Sequence, residues 1–311
     1  MIVRNEEKNL PRALQSVKDL ADQIVIVDTG STDKTVEIAR SWGALVDQIE
    51  WPDDFSAARN HALSLATQEW IMVIDADDEF GSNDTSLVRN LLETTKKEAL
   101  SVRHTVSIEG GNQIVKDQVV FFRNRPEYRY RFRIHERLPI PPEGVERTRF
   151  QLRHHGYVGS SMPQKRARNE RLLYIMKKDS DPESQVASAW YLGMQYREAG
   201  EISKAIEEFR QASYSNVASE YRLYSLLLLA RTAAEIGEGE YAGELYQALL
   251  GSNPGAVEAA LGMAALHARG GEWEIGEKYL KIAQENRIRI LPWKEEGWES
   301  AIQALFTTSR A

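Results

Sequence analysis

The sequence predicts an α/β domain followed by an all-helical repeat domain. Three observations carry that prediction. Short apolar runs recur along the first 80 or so residues, with helix-period segments between them. Two of those runs, Ile24-Val25-Ile26-Val27 and Ile71-Met72-Val73-Ile74, lead directly into acidic residues. From Ser184 onward the pattern changes to helix pairs punctuated by glycine. A length of 311 residues suits two domains.

The elements follow in order. Ile2-Val3 is a short first strand. Residues 7–20 form a helix, because Leu10, Ala13, Leu14 and Val17 recur at spacings of three and four. Residues 24–27 are the second strand. Ser31-Thr32-Asp33 supplies capping oxygens for a helix over 34–42. Leu45, Val46 and Ile49 mark a third strand, 56–66 an alanine-rich helix, and 71–74 a fourth strand. This alternation implies a parallel sheet with right-handed crossovers. A helix over 84–98 and strands over 100–104, 113–116 and 119–123 come next. Tyr128-Arg129-Tyr130-Arg131-Phe132-Arg133-Ile134 alternates strictly, as a half-buried strand does. Pro139, Pro141 and Pro142 mark a loop. Residues 163–178 read as a basic helix. The expected domains are 1–160 and 184–311, joined by a basic linker helix over 161–183.

The second domain repeats. Trp190, Leu192, Gly193, Tyr196, Gly200, Ala205, Phe209 and Ala212 match the tetratricopeptide pattern. Leu229, Ala230, Gly237, Ala242, Tyr246 and Pro254 give a second copy, and Met263, Ala264, Gly271, Gly276, Leu280 and Ala283 a third. Gly200 to Gly237 is 37 residues and Gly237 to Gly271 is 34, the second being the period of that repeat. Residues 292–310, with Trp293 and Trp298, read as a helix capping the last repeat.

Composition narrows the function. With no cysteine there is no disulfide, thiolate or Cys-based zinc chemistry. No apolar run approaches the ~20 residues that span a bilayer. Glu6 and Glu7 fall where a secretion signal would be apolar, so a cytoplasmic location is expected. A net charge of −7 argues against general nucleic-acid binding. The charge is uneven. Residues 116–177 carry 15 Lys/Arg against 6 Asp/Glu, which makes the middle a basic segment suited to a local anion site.

Asp75, Asp77, Asp78 and Glu79 put four carboxylates within five residues at the end of a strand. Such acids repel, and a hard divalent cation shared with a substrate's phosphates relieves them. The plainer reading is a solvated acidic turn. Asp28 ends the second strand in the same way, before Thr29 and Gly30. Strand ends carrying polar groups are where α/β sheets hold ligands. A carboxylate there can accept a hydrogen bond from a ligand N–H, or simply form the turn.

The run Met1-Ile-Val-Arg-Asn-Glu-Glu, then VDTGSTDKT, DDFSAARNHAL and WIMVIDADDE, resembles the family 2 glycosyltransferases. Ile134-His135-Glu136 and His154-His155-Gly156-Tyr157 resemble a bacterial branch of that family with a tetratricopeptide tail. The resemblance implies a Rossmann-like GT-A fold and inverting transfer from a nucleotide-diphosphate sugar, with a UDP-sugar favoured. Arg4, Asn5, Glu6, Asp28, Arg59, Asp75 and Asp77 then line the nucleotide-sugar site. Asp77 and His154 hold Mg²⁺ or Mn²⁺, with His155 a rival to His154. Glu136 is the base that takes the acceptor's proton. If residues 128–134 run on as a strand, Glu136 shares the face of Tyr128, Tyr130, Phe132 and Ile134, and His135 becomes the rival base. The six arginines from Arg123 to Arg137 read mostly as a solvated face, with one or two free for diphosphate. Some relatives with this layout glycosylate peptides, including cysteine thiols. A peptide, protein or glycan acceptor, or a homodimer through the repeats, is therefore expected of residues 184–311. The competing reading is a spent transferase fold that serves as a repeat-based binding module.

Overall fold

The computed structural model describes residues 1–81, 85–107, 113–155, 162–291 and 296–308. The chain divides into two compact units, Met1–Leu172 and Leu173–Ala311.

In the first unit, β1 (Ile2–Val3), β2 (Val25–Asp28) and β3 (Leu45–Gln48) form a parallel sheet in that order. α1 (Leu10–Val17) buries Leu10, Ala13, Leu14 and Val17, the residues whose spacing predicts the helix. α2 (Thr35–Ser41) follows β2. The side chain of Asp33 accepts from the backbone N–H of Thr35 at 3.0 Å, as expected of a helix-start acid. α3 (Phe55–Ser64) opens at Asp54, whose carboxylate accepts from the N–H of Ala57 at 2.9 Å.

The fourth strand does not join the parallel sheet. β4 (Trp70–Met72) pairs antiparallel with β7 (Gln113–Arg123), placing Ile71 opposite Phe122. The second sheet has the order β4-β7-β6-β8-β5, with β5 Asp78–Phe80, β6 Ala99–Ser107 and β8 Val145–His154. Within it β6 and β8 are parallel and the other neighbours antiparallel. β1 is short. Its two residues pair with Val27 and Asp28, and the Met1 ammonium donates to the carbonyl of Val25 at 2.8 Å. A cavity of about 440 Å³ is lined by Met1, Ile24, Leu63, Ile71 and Val73 among others. Burial pushes the Met1 amine down to about 5. The second sheet packs Leu100, Val102, Val120, Phe121 and Leu152 with Val17 of α1 and Val88 of α4 (Thr85–Thr94).

Residues 128–134 correct a second expectation. They do not form a strand; a lone bridge joins Arg131 to Arg137. Phe132 (φ 75°) and His135 (φ 55°) leave the extended region. The backbone finds its partners on α3 instead. The Asn60 amide brackets Tyr130, donating to its carbonyl at 2.9 Å and accepting from its N–H at 2.7 Å. The N–H of Phe55 donates to the carbonyl of Arg133 at 2.7 Å. Tyr128, Phe132 and Ile134 are buried, so the alternation does report an inward face.

α5 (Met162–Met176) leads into the second unit. There α6 (Pro182–Glu198), α7 (Ile202–Ser213), α8 (Glu220–Glu235), α9 (Gly239–Ser252), α10 (Val257–Arg269) and α11 (Trp273–Glu285) form three helix pairs. Gly200, Gly237 and Gly271 turn each pair at φ 75°, 90° and 80°. That left-handed region costs an L-residue ~1–2 kcal/mol, which explains glycine at the repeat interval. A second set of small residues lets helices close. A Cβ on Gly193 would lie 2.5 Å from the Phe209 ring, and one on Gly262 2.2 Å from the Tyr246 ring. These are tetratricopeptide pairs. α12 (Glu296–Thr308) buries Ile302 and Phe306 against Ala260, Ala264 and Ala283, as the cap reading expects. Pro292 and Trp293 of that reading lie outside the described residues. Among the described residues no helix is long and apolar enough to cross a membrane.

Candidate active site

The acidic segment folds as a tight turn between β4 and β5. The N–H of Asp78 donates to the carbonyl of Asp75 at 3.1 Å, and the Asp78 carboxylate accepts from the N–H of Asp75 at 3.3 Å. The turn therefore splits its acids. Asp75 and Asp77 retain exposure, 42% and 24% of their side chains, whereas Asp78 is enclosed at 4%. Side chains meet this turn from two sides.

On one side Arg59 of α3 grips Asp75 with both terminal nitrogens, at 3.1 and 3.4 Å. Its Nε donates to Glu136 at 2.6 Å. Arg59 and Glu136 are each 14% exposed, and the Tyr130 ring lies 5.6 Å from the guanidinium carbon. Burial alone would pull the Arg59 guanidinium down. The two carboxylates outweigh it and hold the group well above its ordinary value. Because residues 128–134 are not a strand, Glu136 escapes the buried face. His135 is exposed.

On the other side stands His154 at the end of β8. Strand register sets it opposite Asp78. Its Nδ1 lies 2.9 Å from Asp78 and its Nε2 3.6 Å from Asp77. Hydrogen bonding to Asp78 raises the His154 pKa. Burial raises that of Asp77, as do the neighbouring Asp75 and Asp78, while His154 opposes them. Burial also acts to raise Asp78, but the His104 and His154 imidazoles prevail and hold it at about 2. His155 turns away. Its backbone N–H donates to the carbonyl of Asp77 at 2.7 Å and its ring pairs with Glu79 at 2.8 Å. Gly156 and Tyr157 of the expected motif lie outside the described residues. Two ligand atoms on one ion, each about 2.1 Å from it, stand about 3 Å apart, so Asp77 and His154 fit a divalent cation with a small adjustment.

The comparisons with known proteins bear on this site. The family model for glycosyl transferase family 2 matches residues 1–154, from β1 through His154. Residues 1–154 are a glycosyl transferase family 2 domain. A tetratricopeptide repeat-containing protein of Synechococcus elongatus is 42% identical over 137 residues, covering 44% of this chain and 34% of that protein. The SPbeta prophage-derived glycosyltransferase SunS of Bacillus subtilis is 32% identical over 141 residues, covering 44% and 33%. The chain thus spans about a third of the length of these curated relatives. Among solved structures, residues 1–349 of S. aureus TarS in complex with UDP-GlcNAc align over 91% of this chain and 90% of that one, at 13% identity and TM-score 0.45.

The rest of the family 2 domain's expected residues sit around the β1 and β2 ends. Asp28 is fully buried and accepts from the N–H groups of Gly30 at 3.2 Å and Ser31 at 3.1 Å. In this structure it shapes a turn, with Gly30 at φ 103°. Asn5, at φ 57°, joins that turn, donating to Ser31 Oγ and accepting from the N–H of Thr32, each at 2.8 Å. Glu6 is half-buried. Burial raises its pKa, and Asp77, Asp33 and Asp75 add to the effect, which ties the β1 end to the acidic turn. Arg4 is exposed. Three of the arginines of 123–137 are engaged within the fold. Arg123 stacks on Trp70 and pairs with Glu69, Arg125 pairs with Glu98, and Arg133 faces Asp54. The residue that sequence reasoning missed is His104, buried on β6 beside Asp78. The signal was a histidine at the same strand parity as Leu100 and Val102, the inward face of β6.

Proposed function

We propose that this chain is a metal-dependent inverting glycosyltransferase that uses a nucleotide-diphosphate sugar, with a UDP-sugar the first donor to try. The observation that carries the reading is the approach of Asp77 to His154, 3.6 Å apart, beside the ion-paired Asp75. When bound by Asp77 and His154, Mg²⁺ or Mn²⁺ offsets charge gathering on the departing nucleotide diphosphate. The protein's own groups do the rest. Asp75, held by Arg59, faces the nucleotide's ribose. Arg59 keeps Glu136 in place and compensates its charge. Glu136 takes the proton of the acceptor hydroxyl, thiol or amide as that atom bonds to the anomeric carbon. The bond to the nucleotide diphosphate breaks on the opposite face, which inverts the centre. Asn5 and the Asp28 turn form the wall on which the base rests. The tetratricopeptide unit carries no acid-after-strand motif. Its helix pairs suit an extended peptide or protein acceptor, or pairing of two chains.

The test is donor hydrolysis by the full chain with Mn²⁺ across a panel of nucleotide sugars, wild type against Asp77→Ala. Turnover that needs the metal and vanishes in the variant is the expected result. Undiminished activity of D77A would remove the metal assignment. No turnover of any donor by wild type would leave a spent fold. Sedimentation at micromolar concentration settles the pairing role, which a monomer would eliminate.

A further inference from the structure

His154 can serve a cation at Nε2 only if its other nitrogen carries the proton. Nδ1 lies 2.9 Å from Asp78 Oδ1, and an ionised carboxylate can only accept. A proton on Nδ1 leaves a lone pair on Nε2, which lies 3.6 Å from Asp77 Oδ2. Asp78 is itself held. Its Oδ2 accepts from the N–H of Asp75 at 3.3 Å, its own N–H donates to the carbonyl of Asp75, and β5 pairs it across from His154. Behind it, His104 Nε2 stands 3.5 Å from Asp78 Oδ1, and its ring meets that of His154 edge to face at 5.8 Å. Asp78 and His104 are 3% and 7% exposed, so substrate reaches neither.

We propose that Asp78 and His104 are positioning residues that fix the tautomer and aim of His154, so that its Nε2 faces Asp77 as a ligand for a divalent cation. The inference rests on the reading of Asp77 and His154 as the metal pair. Outer partners of a ligating histidine commonly act in this way, and their loss costs 10–100-fold in metal affinity. One other arrangement uses the same atoms. Donors of Asp78, His104 and His154 all lie within 4.8 Å of one another and could themselves surround an ion. The two are exclusive, since Nδ1 cannot bind a metal while donating to Asp78. The hydrogen-bond distance favours support. Enclosure does too, because an ion behind Asp78 could not meet a substrate phosphate.

Two measurements on the full chain test this. The first is Mn²⁺ affinity by electron paramagnetic resonance for wild type, Asp77→Ala, Asp78→Ala, Asp78→Asn and His104→Ala. Asp78→Ala should weaken binding 10–100-fold and His104→Ala about tenfold. Asp78→Asn, which keeps an acceptor oxygen, should recover most of the loss. The second needs no variant to fold. The ¹⁵N shifts of His154 in metal-free wild type, followed up in pH until the ring is neutral, should show Nδ1 protonated and Nε2 bare. A proton on Nε2 in the neutral ring overturns the proposal. So does loss of Mn²⁺ in D77A with no change in D78A and H104A, a result that would leave the metal pair standing. Binding abolished in D78A and H104A but kept in D77A would place the ion behind the turn and overturn it as well. Wild-type affinity in all the variants would fail the metal pair itself.

Discussion

The two units bury their charges differently. In the α/β unit several enclosed or half-enclosed ionisable groups gather at one place. Asp75, Asp77 and Asp78 fall within four residues, with Arg59, Glu136, His104 and His154 around them. In the helical unit the ion pairs and buried acids are dispersed, tying one piece of chain to another. Lys177 holds Glu208 at 2.6 Å, and Glu258 accepts from the N–H of Ile290 at 3.0 Å. Dispersed pairs are what folding alone requires, since each buried charge needs only one partner. A knot of like charges raises the energy of the empty fold and is relieved by a cation or ligand. The difference directs the search for chemistry to the first unit.

The comparison breaks first at Glu136. If the knot is catalytic, Glu136→Gln should lower kcat by ~10²–10⁴ with donor affinity nearly unchanged, as loss of a general base does. Equal loss of donor binding would make Glu136 a structural partner of Arg59 and pass the base role to His135. In the helical unit the sensitive positions are apolar. Gly262→Ala should destabilise that unit by about 1–3 kcal/mol in urea denaturation, because the new methyl meets the Tyr246 ring inside a packed core. Donor hydrolysis should be unaffected at a temperature where the variant remains folded, and a parallel loss of hydrolysis would mean that the units do not divide the labour.

A smaller effect is expected in acid. The Asp78 pKa is depressed to about 2 in the folded protein. A depressed carboxylate adds stability above its unfolded pKa of about 3.9 and loses it as pH falls through about 2. The contribution is roughly 2 kcal/mol. Wild type should therefore lose about that much more than Asp78→Asn between pH 5 and pH 2, measured by urea midpoints. Parallel acid curves would mean that the imidazole contacts do not set the Asp78 charge.

Much of this was legible in the residues. Strand-then-acid grammar placed Asp28 at the end of β2 and the Asp75–Asp77 turn after β4, because a buried strand gives way to polar groups where it leaves the core. Glycines near a 34-residue interval located the repeat turns, because only glycine adopts their backbone cheaply. Residues 128–134 misled for a physical reason. Alternation reports which side chains are buried, and it is silent on where the backbone hydrogen bonds go. Here they go to Asn60 and Phe55 of α3. His104 was illegible because its meaning depends on strand register. Only the pairing of β6 with β8 sets it near His154.

The most direct measurement is a crystal of the full chain soaked with Mn²⁺ and UDP, with the ion located by its anomalous scattering. The account predicts one peak about 2.1 Å from an Asp77 carboxylate oxygen and from His154 Nε2, facing the diphosphate. A peak enclosed by Asp78 and His104, or bound UDP with no ion at Asp77, would contradict it.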